Sequence, residues 1–139
     1  MPKHALETEF LCDIEAELSE PELIGDVPEG TRTTFYIKGG TIEGPEIRGK
    51  IRPVGADWFI MRRDGVGQVD VRATIETDDG ELIYVYYYGL LDFSGEGKLF
   101  TNPIFRTASE KYSWLNGTFA VAVGAPGEGT VTYSVYRLK

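Results

Sequence analysis

Residues 68–89 read QVDVRATIETDDGELIYVYYYG, and this stretch decides the fold. From Gln68 to Glu76, one set of alternate residues is Val69, Val71, Ala73 and Ile75. The other is Gln68, Asp70, Arg72, Thr74 and Glu76. A period of two sends successive side chains to opposite faces of a sheet, so the segment is a strand with one apolar face. Glu81 to Gly89 carries Leu82, Tyr84, Tyr86 and Tyr88 against Ile83, Val85 and Tyr87, so both of its faces expect some cover. Between them stands Asp78-Asp79-Gly80, with Asp79-Gly80 suited to the positive-φ positions of a type I′ hairpin turn.

The same alternation extends in both directions. Phe10, Cys12, Ile14, Ala16 and Leu18 share one face of a first segment. Pro21, Gly25, Pro28 and Gly30 make a long connection ending near Thr31. Strands are then predicted at Thr31 to Lys38, Glu46 to Arg52 and Asp57 to Arg63, with Gly39-Gly40 as a break. After the central hairpin come Leu99 to Arg106, Ser113 to Val123 and Thr130 to Leu138. Short strands at this spacing, with no long helix, predict an all-β fold. A single antiparallel β-barrel of about eight to ten strands accounts for them, residues 1–139 forming one domain.

Composition narrows the function. The 22 acidic residues against 14 Lys and Arg give a net charge of −8, a field that repels phosphate backbones and anionic lipid. No nucleic-acid or membrane role is expected. No apolar run approaches the roughly 20 residues that span a bilayer, and the N-terminus lacks the apolar stretch of a secretion signal. A cytoplasmic location follows as the expectation.

His4 and Cys12 are each alone in the sequence. A serine or cysteine triad therefore lacks a base, and the usual zinc or iron ligand sets cannot be assembled. No metal and no cofactor is expected. Gly124 to Thr130 mimics a phosphate loop in spacing, but Thr130 stands where that motif needs Lys, and strands flank it.

The remaining chemistry belongs to carboxylates, arginines, tyrosines and tryptophans. A desolvated Asp serves as acid or base, and Arg, Tyr or Asn holds a developing oxyanion. The candidate catalytic residues are Asp57, Asp70, Arg72, Tyr84 and Asn116. Arg48, Trp58, Tyr86, Tyr112 and Trp114 are the candidate substrate-binding residues. Each also has a structural reading: Asp70 with Arg72 makes a same-face ion pair, and the tryptophans fill a core. Only convergence in one cavity would favour the functional one. The polar face of 68–76 either looks into water or lines that cavity, and the cover expected on both faces of 81–89 favours the cavity.

Several stretches in order resemble the domain-of-unknown-function 3237 family of small bacterial and fungal proteins, the UPF0311 type. They are Glu22-Leu23-Ile24-Gly25, Gly39-Gly40, Gly44-Pro45, Gly49 with Gly55-Ala56-Asp57-Trp58, and Asp70-Val71-Arg72. Thr77-Asp78-Asp79-Gly80, Ile83-Tyr84-Val85 and Tyr112-Ser113-Trp114-Leu115-Asn116 continue the match. Phe100-Thr101 departs from it, where the family pattern more often has Tyr-Phe-Arg. The resemblance implies a calycin-like barrel, often oligomeric, without implying an activity.

Two readings of function stand side by side. One is a cofactor-independent acid–base enzyme (lyase, hydratase, isomerase or cyclase) acting on a small apolar or aromatic molecule. The other is a lipocalin-like barrel that binds a small molecule without changing it. A structural homo-oligomer would also use the tyrosine-rich strand.

Overall fold

The computed structural model describes residues 3–139. Its centre is the hairpin of β5 (Val66–Thr77) and β6 (Leu82–Asp92), paired antiparallel from Val66↔Asp92 to Glu76↔Leu82. Val69, Val71, Ala73, Ile75, Ile83, Val85 and Tyr87 are buried inward. Gly80 lies at φ 87, while no other residue type among those described has positive φ. Asp79 therefore keeps an ordinary backbone, and the connection is a type I turn followed by a glycine bulge, with Gly80 N–H donating to Thr77 O at 2.9 Å. That corrects the type I′ expectation.

The other strands are β1 (Thr8–Leu18), β2 (Glu22–Val27), β3 (Gly30–Glu43), β4 (Arg48–Arg62), β7 (Leu99–Thr101), β8 (Ile104–Arg106), β9 (Ala120–Pro126) and β10 (Thr130–Leu138). Sheet order runs β1-β10-β9-β7-β6-β5-β4-β3, and pairing of β1 with β3 closes an 8-strand antiparallel barrel. β2 is added to the edge of β3 and β8 to β6. Closure removes the edge strands that an open sheet would leave unpaired. Among the described residues no helix is long and apolar enough to cross a membrane.

Local irregularities explain where sequence-based boundaries differ. Gly39-Gly40 bends β3 rather than ending it, and β3 pairs with β2 before the bend and β1 after it. A Cβ on Gly40 would stand 2.1 Å from Glu15 O, so only glycine admits this approach of β1. The strands expected at 46–52 and 57–63 merge into one, β4, which starts at Arg48, ends at Arg62 and shifts its register between Ile51 and Gly55 around Pro53. A register shift between Phe10 and Cys12 leaves Phe10 exposed and buries Leu11.

Two further segments are corrected. Residues 22–27 form β2, an exposed strand, where a connection was expected. Ser113–Gly117 is a short 3-10 helix, and the strand after it begins only at Ala120. Leu115 on that helix is fully buried, and Tyr112 just before it is 5% exposed. Tyr112 Oη donates to Asp79 Oδ1 at 3.0 Å, and Lys111 Nζ to Asp79 Oδ2 at 2.5 Å. These bonds tie the helix to the β5–β6 turn and plug that end of the barrel. The opposite end is open.

Candidate functional site

A cavity of about 860 Å³ occupies the open end. Strand alternation supplies its apolar wall: Phe35 from β3, Phe59 from β4, Val69 from β5, Leu91 from β6 and Val131 from β10. Asp57 and Tyr133 are the ionisable groups facing this wall from within the barrel. Lys38, Glu17, Glu20 and Glu128 line the same space, so carboxylates outnumber the cation there.

Asp57 is set by register. Phe35↔Asp57, Asp57↔Val71 and Val71↔Tyr87 place these four side chains in one inward row across β3, β4, β5 and β6. The β4–β5 pairing then skips from Asp57↔Val71 to Ile60↔Gln68. In that gap the Asp70 backbone N–H donates to Asp57 Oδ1 at 3.0 Å. Burial pushes the Asp57 carboxyl up to about 7; the Asp70 amide opposes this and the Asp70 charge adds to it. A carboxyl in that range both takes and returns protons near neutrality.

Tyr87 and Tyr133 stand beside it. Burial is the main reason both phenols ionise well above the ordinary tyrosine range. Their rings pack against one another, and the Asp57 charge also disfavours ionisation of each. Both therefore remain neutral donors where Asp57 titrates. Neither was among the sequence candidates. The signal was present in the alternation, because Tyr87 shares a face with Ile83 and Val85, and Tyr133 with Val131 and Val135.

Of the sequence candidates, Asp57 alone reaches this cavity. The polar face of β5 points outward, correcting the expectation that it lines the interior. Asp70 and Arg72 lie on the outer surface 3.8 Å apart, with side chains 41% and 49% exposed. Arg72 stacks over Trp58 and Tyr86 there, 5.7 and 4.9 Å from the ring centroids. Tyr84 is also outside, opposite Arg106 of β8.

The rest sit elsewhere. Tyr112 belongs to the plug described above. Asn116 clasps Thr107, donating to its carbonyl at 3.0 Å and accepting from its N–H at 2.9 Å. Trp114 lies under Arg137, 5.3 Å from the guanidinium carbon. Arg48 is exposed and pairs with Glu43 at 2.7 Å. These contacts support structural roles at the closed end, far along the strands from Asp57.

Among the described residues no group of three or more His, Cys, Asp or Glu side chains is placed to hold a metal ion. Cys12 is buried, and burial pushes its thiol up to about 12, which leaves it unreactive as a nucleophile. A second hollow of about 480 Å³ lies over β1, β9 and β10 and is lined by the exposed carboxylates Asp13, Glu15 and Glu43.

The barrel has solved relatives. A beta-barrel like protein from Acinetobacter baumannii is 32% identical, with a TM-score of 0.90 over 99% of each chain. A conserved protein of unknown function from Rhodopseudomonas palustris is 28% identical, with a TM-score of 0.91 over 99% of this chain and 100% of that one. An enzyme from Penicillium herquei, 22% identical with a TM-score of 0.79 over 100% of this chain and 98% of that one, shares the fold. A UPF0311 protein from Bradyrhizobium diazoefficiens is 30% identical over 96% of this chain and 97% of its own length. The family model described as a protein of unknown function, DUF3237, matches residues 6–138. With that match across nearly its full length, the chain belongs to the DUF3237 family.

Proposed function

We propose that the open-end cavity binds a small, neutral apolar or aromatic molecule and moves a proton on it. The observation that carries this reading is Asp57, a buried carboxyl lining an apolar cavity and titrating near 7. Ionised, Asp57 takes a proton from carbon or hydroxyl of the substrate. Protonated, it returns that proton to another atom of the same molecule. Tyr133 is a neutral phenol that donates to the oxyanion formed between the two steps. Isomerisation and ring-closing addition fit this exchange directly. Elimination fits when the proton goes to a departing hydroxyl that leaves as water, hydration is its reverse with water as the proton source, and none needs a redox partner.

The volume suits a drug-sized molecule, and the aromatic rings of Phe35, Phe59 and Phe93 give it flat apolar surfaces. Glu17, Glu20 and Glu128 against Lys38 disfavour an anionic ligand. The same apolar wall also supports a binding barrel without turnover, in which Asp57 only orients the ligand.

A neutral dye and an exchangeable ketone separate these readings. Nile red should brighten with the wild type and much less with Phe93→Glu at the rim. Deuterium from D₂O should wash into the methyl group of acetophenone with the wild type and not with Asp57→Asn of equal dye affinity. Dye uptake without exchange favours the binding barrel. A wild type that takes up no dye overturns both.

A further inference from the structure

We propose that Asp70, Arg72, Trp58 and Tyr86 form an outer buttress that positions Asp57 through the barrel wall. The inference rests on Asp57 being the acid–base group and assigns a task to outer residues that never reach the cavity. They are positioning residues, since none touches the space a substrate would fill.

Four contacts carry it. The Asp70 amide donates to Asp57 Oδ1 at 3.0 Å, in a gap of the β4–β5 ladder. One carboxylate oxygen is thereby anchored, leaving Oδ2 for chemistry. On the other face of the same residue, the Asp70 carboxylate lies 3.8 Å from Arg72, too long for a hydrogen bond. Arg72 is held by two rings instead, Trp58 from β4 and Tyr86 from β6. Trp58 directly follows Asp57 in the chain, and Tyr86 directly precedes Tyr87. The guanidinium thus laces the three strands together on the outside, behind the inward row of Asp57, Val71 and Tyr87.

An ordinary surface ion pair would look different. Asp70 Oδ1 is enclosed and accepts no hydrogen bond among the described residues. The side chain as a whole is 41% exposed, so its charge is partly in water, yet it lies close enough behind the wall to add to the cost of ionising Asp57. Arg72 offsets part of that charge. The other ionisable groups facing Asp57 are Tyr87 from β6 and Tyr133 from β10. Lys38, Glu17, Glu20 and Glu128 line the cavity from β3, β1, its following turn and the β9–β10 loop. All six stay unchanged when the buttress is altered.

The test is a ¹³C-carboxyl NMR titration of Asp57 in the full chain, which needs no substrate. Asp70→Asn keeps the amide and removes the charge, so the Asp57 midpoint should fall below that of wild type. Arg72→Ala leaves Asp70 unopposed, so the midpoint should rise. General loosening admits water and lowers both, so opposite signs distinguish a buttress from damage. An Asp70→Asn midpoint at or above wild type overturns the role of Asp70. An Arg72→Ala midpoint at or below wild type overturns that of Arg72 and its two rings. Should Arg72→Ala fail to fold, Arg72→Gln, which removes the charge and keeps most of the stem, takes its place with the same expected rise. Failure of dye uptake would end the functional reading without touching these midpoints.

Discussion

Tyr87 and Tyr133 meet edge to face inside the barrel, ring centroids 5.2 Å apart and planes at 71°. Both rings are buried, so the contact lies where water is excluded. Truncating one ring removes the contact and opens a cavity, at a cost of about 3–5 kcal/mol. Tyr133→Ala and Tyr87→Ala should each lose about that much in urea unfolding. The double variant should lose clearly less than their sum. Additive losses would show that the two rings do not depend on one another.

Asp57 makes stability depend on pH in an unusual direction for a carboxyl. Its folded value of about 7 stands above the unfolded value near 3.8. Stability linked to it is fully present below the unfolded value and is lost as pH rises through 7. The loss amounts to a few kcal/mol at most. Asp57→Asn keeps an acceptor for the Asp70 amide, so it should be more stable than wild type at pH 8 and should flatten the curve between pH 4 and 8. Chemical denaturation across that range checks it; equal slopes in both proteins would contradict the buried, protonated carboxyl.

For Asp70→Asn the expectation on stability is nearly nil, within about 0.5 kcal/mol, because the pair with Arg72 is half exposed. Denaturation at pH 7 measures it. A loss of several kcal/mol would mean the pair is buried in solution, contrary to its outward position.

Asp79 works in the opposite sense to Asp57. Lys111 first, then Thr77 and Tyr112, hold its carboxyl well below the usual range, in spite of some desolvation. A lowered value contributes stability that is present above the unfolded value near 3.8 and fades as pH falls below it. Asp79→Asn should therefore unfold at lower temperature than wild type at pH 6, and the gap should narrow toward pH 2. A gap independent of pH would show that the charge of Asp79 does not hold the plug.

Alternation alone determined that the chain is all β, that residues 68–89 make a hairpin, and that Val69, Val71, Ala73 and Ile75 share a face. The physical reason is local: the pleat sends neighbours to opposite sides whatever the partner strands are. Composition adds that His4 and Cys12 each stand alone, too few for a triad or a zinc set. Asp57 was legible as a candidate, but its setting was not.

Which face looks inward was decided only when β1 paired with β3 and closed the barrel. By alternation alone the tyrosines of β6 fit either side, and so does the polar stripe holding Asp70 and Arg72, which closure turns outward. The shifts at Phe10, Gly39-Gly40 and Pro53 are likewise settled by long-range pairing. Those at Phe10 and Gly39-Gly40 displace the register by one residue and turn the following side chains over, whereas that at Pro53 displaces β4 by two against β5 and keeps Ile51 and Asp57 on one face. Tyr133 joins Asp57 and Tyr87 from 76 and 46 positions away along the chain. No local pattern encodes that meeting; it exists because closure brings β4, β6 and β10 around one dry interior, where burial above all moves a carboxyl to neutrality.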